Sequence, residues 1–447
     1  MSLRALASWE KYFCFDTAYN LLSNNFVNCG MNETNFKNKL YTNDNLFILN
    51  GMNSNFVDLI YLAPPFNSKR TYSAPVGSKA AGTSFKDMWT WDDVNEAYLE
   101  KLAEDYPALE DFINTVSIVH SSAMSAYLTY MTQRIIQMHR VLKDTGSLYL
   151  HCDQTASHYL KIVLDNIFGK NNFRNEIVWC YTGPSGAKKN FPAKHDVILR
   201  YSKTEDYVFN PSDILIPYSD ATLGRREYAE TKQKGIKFKG KEYTEYLKGK
   251  IPPDWWCDIP SGGQISRKER TGYRTQKPLK LLNRIIEAST NEGDIVLDPF
   301  CGCATTCVAA EQLDRKWIGI DIEKQAVGLL MERLGDASGV FDNFINETIP
   351  PKRSDVTIVE PTKKEVRERL YKEQERICNG CGNEYLLKDL TTDHIVPVVM
   401  GGGSYYENYQ LLCANCNSIK SKYPMEYLRM KINARKSKML TKIVFGR

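Results

Sequence analysis

Two acidic residues each follow an apolar run that can form a strand. In an α/β sheet, ligands bind beyond the carboxyl ends of the strands, where these two residues would lie. Asp298 ends the run 295–297, and Asp321 ends the run 317–320. A carboxylate at such a strand end can accept hydrogen bonds from ribose hydroxyls, and the nearby Gly302 permits close backbone approach. Because the sequence has no Gly-x-Gly-x-x-Gly run for a pyrophosphate, the pattern favours a nucleoside cofactor that lacks one.

Another apolar run is followed by two consecutive prolines. The run 57–62 leads into Ala63, Pro64, Pro65 and Phe66. Two prolines fix an extended backbone and remove two hydrogen-bond donors. The loop can therefore present backbone carbonyls and the ring of Phe66 to a planar base.

Four of the twelve cysteines form two pairs, with two residues between the members of each pair. They are Cys378 with Cys381 and Cys413 with Cys416. Four thiolates spaced in this way suit a tetrahedral, structural zinc ion, and four unrelated thiols are the alternative. The unit at 377–447 is small, so a bound metal would help to stabilise its fold.

The elements that must position these residues alternate between strands and helices. Apolar runs predict strands at 57–62, 147–152, 174–181, 196–202, 295–298 and 317–321, and helical periodicity predicts helices at 112–142, 155–168, 278–290 and 305–313. This alternation indicates an α/β fold with a mostly parallel sheet. The predicted divisions are an extension at 1–39, the α/β domain at 40–341, a linker with a charged helix at 342–376 and a small domain at 377–447.

The composition is that of a folded protein. The chain has 447 residues, of which 43% are hydrophobic and 25% charged, so a mainly disordered chain is excluded. No uncharged apolar stretch reaches the roughly 18 residues of a membrane helix, and we expect an intracellular protein without a membrane partner. The net charge is +5, with basic residues concentrated at 224–250 and 418–447. Such stretches permit nucleic-acid binding but are also typical of solvated faces.

The motifs at 62–66, 275–278 and 298–302 together resemble those of the amino-group DNA methyltransferases, which use S-adenosylmethionine. Their order, with Pro-Pro-Phe first and Asp-Pro-Phe-x-Gly last, is similar to that of the β class. The resemblance covers about 38–335. It implies a Rossmann-like methyltransferase fold, a double-stranded DNA partner, a tendency to form homodimers and a cytoplasmic location in a prokaryotic or phage-encoded system.

The resemblance implies a role for individual residues. The implied cofactor-binding residues are Asp44, Thr275, Asp298, Phe300, Gly302 and Asp321. Asp321 would hold the ribose and Asp44 the adenine amino group, although Asp44 also fits a solvated turn. The family extrudes its target base from the duplex, and Phe66 would stack on that base. Residues 204–270 would recognise the target, with Trp255 and Trp256 either facing DNA or lying in the core.

Ala63 departs from the family pattern, which has Asp, Asn or Ser at this position. That polar side chain accepts a hydrogen bond from the target amine, whereas alanine has no acceptor. We therefore expect this chain to bind cofactor and DNA but to methylate poorly or not at all. A deliberate substitution is one explanation, and a natural inactive domain is the other. With Asp restored, the motif resembles that of an adenine-N6 enzyme more than a cytosine-N4 enzyme.

The C-terminal unit is similar to the HNH nucleases, which have a ββα-metal fold. The residues that carry the resemblance are Asp393, His394, Asn408 and Asn417, the last replacing a histidine. They imply that His394 activates water as a general base, for which an ordinary pKa near neutrality is suitable. Asp393 and Asn417 would hold Mg²⁺ or Mn²⁺, and Asn408 would brace the loop that orients His394.

The two resemblances together predict a restriction–modification protein in a single chain, with DNA methylation and metal-dependent DNA cleavage. Two alternatives remain open. One is a methyltransferase whose zinc module only binds DNA. The other is a mobile-element nuclease that uses a methyltransferase domain for targeting.

Overall fold

The structure is a computed structural model that describes residues 37–432 with interruptions. The interruptions are 69, 76, 82, 95–98, 184, 220–248, 339–343, 356–361, 401–405 and 426. Most of the predicted N-terminal extension, the centre of the predicted target-recognition region and most of the basic tail lie outside the described residues.

Short strands and helices alternate along the described chain. The strands are β1 (Asn38–Thr42), β2 (Val57–Leu62), β3 (Arg70–Ser73), β4 (Ser84–Asp87), β5 (Leu142–Cys152), β6 (Phe173–Cys180), β7 (His195–Ser202), β8 (Trp255–Trp256), β9 (Ile295–Asp298), β10 (Lys316–Asp321), β11 (Phe344–Glu347), β12 (Leu390–His394) and β13 (Tyr409–Cys413). The helices are α1 (Asn45–Gly51), α2 (Leu99–Asp105), α3 (Pro107–Val119), α4 (Ser122–Val141), α5 (Ser157–Phe168), α6 (Leu279–Ser289), α7 (Thr305–Gln312), α8 (Gln325–Ser338), α9 (Lys363–Glu373) and α10 (Ala414–Lys420).

The strands of the larger domain form one sheet in the order β11-β1-β10-β9-β2-β5-β7-β6-β8. The pairs from β11 to β5 are parallel, and β7 runs antiparallel to both of its neighbours. The prediction of a mostly parallel α/β sheet is confirmed. The chain leaves β9 through α7 towards β10, whereas it leaves β2 towards β5 on the other side. The crevice between β9 and β2 is therefore a topological switch point, where open sheets bind ligands.

Burial explains why these segments form central strands. All six residues of β2 are buried, as in a strand covered on both faces. Asp58 is the polar exception, and its Oδ2 accepts a hydrogen bond of 2.9 Å from the Ile295 N–H. This contact ties the start of β2 to the start of β9. On α6, the buried residues Leu281, Leu282, Ile285 and Ile286 form the face that packs into the same core.

Two strands at one side of the sheet, β11 and β1, differ from the sequence prediction. Phe344–Glu347, placed in the predicted linker 342–376, is strand β11 and pairs with β1. The linker prediction is therefore wrong for these residues. The sheet also begins at Asn38, inside the predicted extension 1–39. The sequence left open whether Trp255 and Trp256 face DNA or lie in the core. Trp256 is buried in the core, whereas Trp255 is 58% exposed.

The C-terminal domain is a ββα unit. β12 and β13 pair antiparallel, with Leu390 opposite Cys413 and His394 opposite Tyr409, and α10 follows directly. The preceding helix α9 starts in a capping box, in which Thr362 and Glu365 bond each other's backbone N–H groups. Val366 and Leu370 of α9 join the core beneath the two strands. The predicted ββα arrangement is confirmed.

No helix in the described part of the chain is long and apolar enough to cross a membrane.

A substitution of Gly319 in β10 tests how tightly the sheet packs on α7. A Cβ added there would lie 2.9 Å from Cys307 Sγ and 3.1 Å from Leu40 Cδ1. We expect Gly319→Ala to lower the free energy of unfolding by about 1–3 kcal/mol, because overpacking displaces neighbours. The measurement is urea unfolding of the full chain.

Gly328→Ala is the matched control for that substitution. Gly328 lies in α8, and an added Cβ there would have no neighbour within 4 Å. Because alanine favours helix over glycine, this variant should unfold at the same or a higher urea concentration than the unaltered chain. Equal stability of the two variants would contradict the packing described for β10.

Candidate functional site

Asp298 ends β9 at the mouth of the crevice. Its Oδ1 accepts a hydrogen bond of 3.0 Å from the Phe300 N–H, and its Oδ2 accepts one of 2.5 Å from the Thr306 hydroxyl. These bonds fold the loop 299–304 over the carboxylate. Burial raises the pKa of Asp298 to about 7, and the nearby negative charge of Asp321 contributes to the shift.

Asp321 ends the neighbouring strand β10. It accepts hydrogen bonds from the Gly302 N–H at 2.7 Å and from the Glu323 N–H at 2.8 Å. Burial raises the pKa of Asp321 to about 6. Two desolvated carboxylates side by side gain from a positively charged ligand, because their mutual repulsion is then offset. The crevice therefore suits a cationic cofactor.

The loop between these carboxylates approaches its neighbours closely. Gly302 has φ +51°, and a Cβ there would lie 3.1 Å from the Tyr273 ring. Ala304, just before α7, has φ +56°, a conformation that costs free energy for a residue other than glycine. The structure thus explains why glycine stands at 302. It places the half-buried Phe300 in the same loop.

Asp44 is the N-cap of α1 rather than a solvated acid. Its Oδ1 accepts a hydrogen bond of 2.7 Å from the Leu46 N–H. Nη2 of the buried Arg134 lies 2.9 and 3.0 Å from the two carboxylate oxygens. The adjacent Asn45 donates to the Pro299 carbonyl at 2.7 Å, so α1 begins against the Asp298 loop. Asp44 therefore lies at the same edge of the sheet as Asp298 and Asp321.

Thr275 lies in a segment that Gln276 holds in place. The Gln276 Oε1 accepts hydrogen bonds of 2.8 Å from both the N–H and the hydroxyl of Thr271, and its Nε2 donates to the Glu269 carbonyl at 2.8 Å. Thr275 itself is half-buried, and its carbonyl lies 3.5 Å from Lys277 Nζ. This segment leads directly into Pro278 and helix α6.

The Pro-Pro loop follows β2 next to Asp298. Ala63 packs on the central core and Pro64 is buried, whereas Pro65 and Phe66 are half-buried. The Phe66 ring stacks on the His151 ring, with centroids 6.2 Å apart and planes 18° apart. Lys277 Nζ lies 5.4 Å from the Phe66 ring centroid.

Three residues that sequence reasoning did not single out surround this loop: His151, Asp196 and Lys277. His151 is fully buried, with one ring nitrogen 2.8 Å from the Tyr61 hydroxyl and the other 3.1 Å from Asp196 Oδ2. Burial lowers the pKa of His151 to about 4, so the imidazole is neutral at pH 7. Burial also lowers the pKa of Lys277. The only sequence signal was that each lies at a predicted strand end or within a motif.

The four paired cysteines form a cluster in the C-terminal domain. The Sγ atoms of Cys378, Cys381, Cys413 and Cys416 all lie within 4.8 Å of one another. Zinc bound to four thiolates at about 2.3 Å needs similar sulfur–sulfur separations. The Cys413 N–H lies 3.2 Å from Cys378 Sγ, as expected where backbone amides support thiolates. A Cβ on Gly380 would lie 2.9 Å from Cys416 Sγ, so only glycine fits this turn. The donor set fits zinc.

Of the residues implied for the nuclease, Asp393 and His394 end β12, Asn408 directly precedes β13, and Asn417 lies in α10. Asn408 accepts a hydrogen bond of 2.9 Å from the Val396 N–H and donates one of 3.1 Å to the Val396 carbonyl. It therefore fixes the loop that follows His394. Burial lowers the pKa of His394. The His394 ring lies against Tyr409, with centroids 4.8 Å apart.

Asp393 is held by a lysine that sequence reasoning did not assign. Nζ of the fully buried Lys420 lies 2.9 Å from Asp393 Oδ2 and 2.6 Å from the His394 carbonyl. Gln410 donates to the same Oδ2 at 2.9 Å. Both contacts use Asp393 Oδ2, so neither uses Oδ1. One carboxylate oxygen is sufficient for monodentate binding of a hard cation. Asn417 donates to the Thr391 hydroxyl at 2.9 Å through its amide nitrogen, so this bond does not use its amide oxygen.

Two family models match separate parts of this chain. A family model described as DNA methylase matches residues 57–332, and one described as HNH endonuclease matches residues 378–422. Type II methyltransferase M.BglII of Bacillus subtilis is 30% identical over 317 residues, which are 69% of this chain and 72% of that protein.

Two further relatives match shorter parts of the chain. Type II methyltransferase M.EcaI of Enterobacter cloacae is 30% identical over 282 residues, covering 50% of this chain and 61% of that protein. DNA adenine methyltransferase YhdJ of Escherichia coli (strain K12) is 33% identical over 215 residues, covering 47% of this chain and 68% of that protein. The match thus spans less than two thirds of the length of M.EcaI.

Metal content tests the cysteine cluster. We expect the purified full chain to carry about one zinc per molecule and Cys413→Ser to lose it, because a structural site needs all four ligands. The measurement is elemental analysis by mass spectrometry after gel filtration. Cys257→Ser, which replaces an exposed cysteine outside the cluster, is the control and should keep its zinc. Equal metal content in the two variants would contradict the assignment.

Proposed function

The chain belongs to the DNA methylase family, and on that premise we propose that it joins site-specific DNA methylation and DNA cleavage in one restriction–modification protein. The observation that carries this proposal is that one chain contains two candidate sites, one in the part matched by the DNA methylase model and one in the part matched by the HNH endonuclease model. One is the carboxylate-lined crevice at the switch point between β9 and β2. The other is the ββα unit with its four-cysteine cluster.

The crevice fits S-adenosylmethionine, which supplies a methyl group on a positively charged sulfur when it is bound. Asp298 and Asp321 would favour the positive charge, and Asp321 ends β10 where a ribose hydroxyl can be bound. Gly302 lets the backbone approach the cofactor, with Phe300 and Thr275 beside it. Asp44, fixed by Arg134, would face the adenine amino group. The two buried carboxylates at neighbouring strand ends support this cofactor over a neutral one.

The target base would enter beside Ala63. Phe66, held by its stacking on His151, offers a ring face to an extruded base. The Pro64 carbonyl is one acceptor for the target amine, and the residue at 63 should be the second. Because alanine provides none, the amine nitrogen is not activated and methyl transfer is impaired. Adenine N6 is the proposed target, supported by the restored motif and by the likeness to a DNA adenine methyltransferase.

Restoring the acceptor is the direct test of this methylation site. We expect Ala63→Asp to methylate adenine in plasmid DNA at least about 100-fold faster than the unaltered chain, since general-base assistance contributes about 10²–10⁴-fold. The measurement is the yield of N6-methyladenine and N4-methylcytosine from digested DNA, by mass spectrometry.

Ala63→Val is the matched control, because it adds volume at 63 without an acceptor. It should stay as slow as the unaltered chain. No methylated base with Ala63→Asp would refute the proposed methylation site. Methylcytosine in place of methyladenine would refute the choice of target alone.

The ββα unit is the proposed nuclease. His394 would take a proton from the attacking water, and Asn408 positions it through residue 396. Asp393 Oδ1 and the Asn417 oxygen would hold Mg²⁺ or Mn²⁺, which stabilises charge on the leaving oxygen when it is bound. With one such site per chain, cleavage of both strands favours a homodimer or two successive nicks.

Removal of the general base tests the nuclease. We expect His394→Ala to lose at least about 100-fold in the rate of plasmid cleavage with Mg²⁺ or Mn²⁺, and to bind DNA as before. The control is His120→Ala, which replaces an exposed histidine at the end of α3. Cleavage that persists in His394→Ala would contradict the assignment. A chain that binds but never cleaves would favour a zinc module that only binds DNA.

A further inference from the structure

An exposed basic loop leaves the sheet between β6 and β7. Its base is closed by the Tyr181 N–H, which donates to the Lys194 carbonyl at 3.0 Å. Between these residues the sequence has two glycines, two lysines (Lys188 and Lys189) and Phe191, and it has no acid. We call residues 182–193 the wedge loop. Its described residues are all exposed.

Phe191 has the largest exposed fraction of any large apolar side chain in the described part of the molecule, at 100%. Burial of a phenylalanine side chain contributes about 1.5–3 kcal/mol of free energy. Because Phe191 is fully exposed, it contributes none of this to folding. A single exposed apolar residue is ordinary on a protein surface. A fully exposed ring beside two lysines, on a loop without acids, fits a partner that has both phosphates and stacked apolar surfaces.

The base of the wedge loop contacts the proposed base-binding site. The Tyr181 hydroxyl donates to Asp196 Oδ1 at 3.0 Å, and Asp196 Oδ2 lies 3.1 Å from His151. His151 in turn stacks on Phe66. The loop therefore emerges at the edge of the sheet across which a duplex must lie if one of its bases is to reach Phe66.

We propose that the wedge loop binds double-stranded DNA, with Lys188 and Lys189 on backbone phosphates and Phe191 inserted into the stack where the target base has left. The inference rests on the proposed base extrusion and adds a named DNA contact to it. An apolar side chain inserted in this way replaces part of the stacking that the extruded base gives up. Extrusion costs a few kcal/mol, so Phe191 would lower the barrier to methylation of paired DNA.

The lysines are tested without any catalysis, on the unaltered chain with Ala63. Each phosphate contact contributes about 0.9 to the slope of log affinity against log salt. We expect the double variant Lys188→Ala, Lys189→Ala to reduce that slope by about 1.8 on a mixed-sequence duplex, measured by fluorescence anisotropy. Lys170→Ala, at the opposite end of β6, should leave it unchanged. An unchanged slope in the double variant would overturn the phosphate contacts.

Phe191 is tested in the Ala63→Asp background with Phe191→Ala. We expect about a tenfold loss of methylation of a fully paired target, since tenfold corresponds to about 1.4 kcal/mol of lost stacking. A duplex with an abasic site opposite the target should restore the rate to within about twofold, because extrusion then costs less. Ile118→Ala, which removes another highly exposed apolar side chain, should match the parent on both duplexes.

The outcomes separate this inference from the proposed function. A loss that the abasic duplex does not restore, or no loss, would overturn the insertion of Phe191. If Ala63→Asp never methylates, the methylation proposal fails by itself. The salt slope of the unaltered chain then decides whether the wedge loop binds DNA.

Discussion

The parallel pairing of β2 with β9 is the constraint on which the larger site depends. Leu59 pairs with Val296 and Ile60 with Leu297, so the Pro-Pro loop and Asp298 leave the sheet side by side. The bond from the Ile295 N–H to Asp58 fixes the register at the other end of the pair. A shift of one residue between β2 and β9 would put side chains of opposite orientation beside each other and move Asp298 out of step with the Pro-Pro loop. The proposed sites for cofactor and base both depend on this register.

Sequence reasoning located the residues that lie in short motifs, because the ends of apolar runs and the neighbouring prolines and glycines mark these motifs locally. It did not single out His151, Asp196 and Lys277, whose contact depends on pairing between β5 and β7 and on the segment before α6. Nor did it find β11, since its two half-buried and two exposed residues form a strand only by pairing with the distant strand β1. Arg134 and Lys420 were missed for the same reason. Their carboxylate partners, Asp44 and Asp393, are distant in sequence or on another element.

Within the motifs at 62–66, 275–278 and 298–302, Ala63 is the residue that departs from the family pattern. The hydrogen bonds of Asp298, Asp321 and Asp44 are satisfied, and Phe66 keeps its stacking partner. A domain that had lost its function by gradual change would show more than one such defect. The arrangement therefore favours a single substitution at 63, and we propose that the chain still binds cofactor and DNA. In such a chain, DNA binding by the larger domain would still direct the nuclease domain to its target.

Mapping of DNA ends shows whether one recognition region serves both methylation and cleavage. The unaltered chain is mixed with unmethylated plasmid and Mg²⁺ or Mn²⁺, with and without S-adenosylmethionine, and new ends are sequenced. We expect ends at a fixed distance from one short sequence, and we expect these ends to be lost when the Ala63→Asp form has methylated the plasmid beforehand. Ends scattered without a common sequence, or ends that persist on methylated DNA, would contradict this expectation.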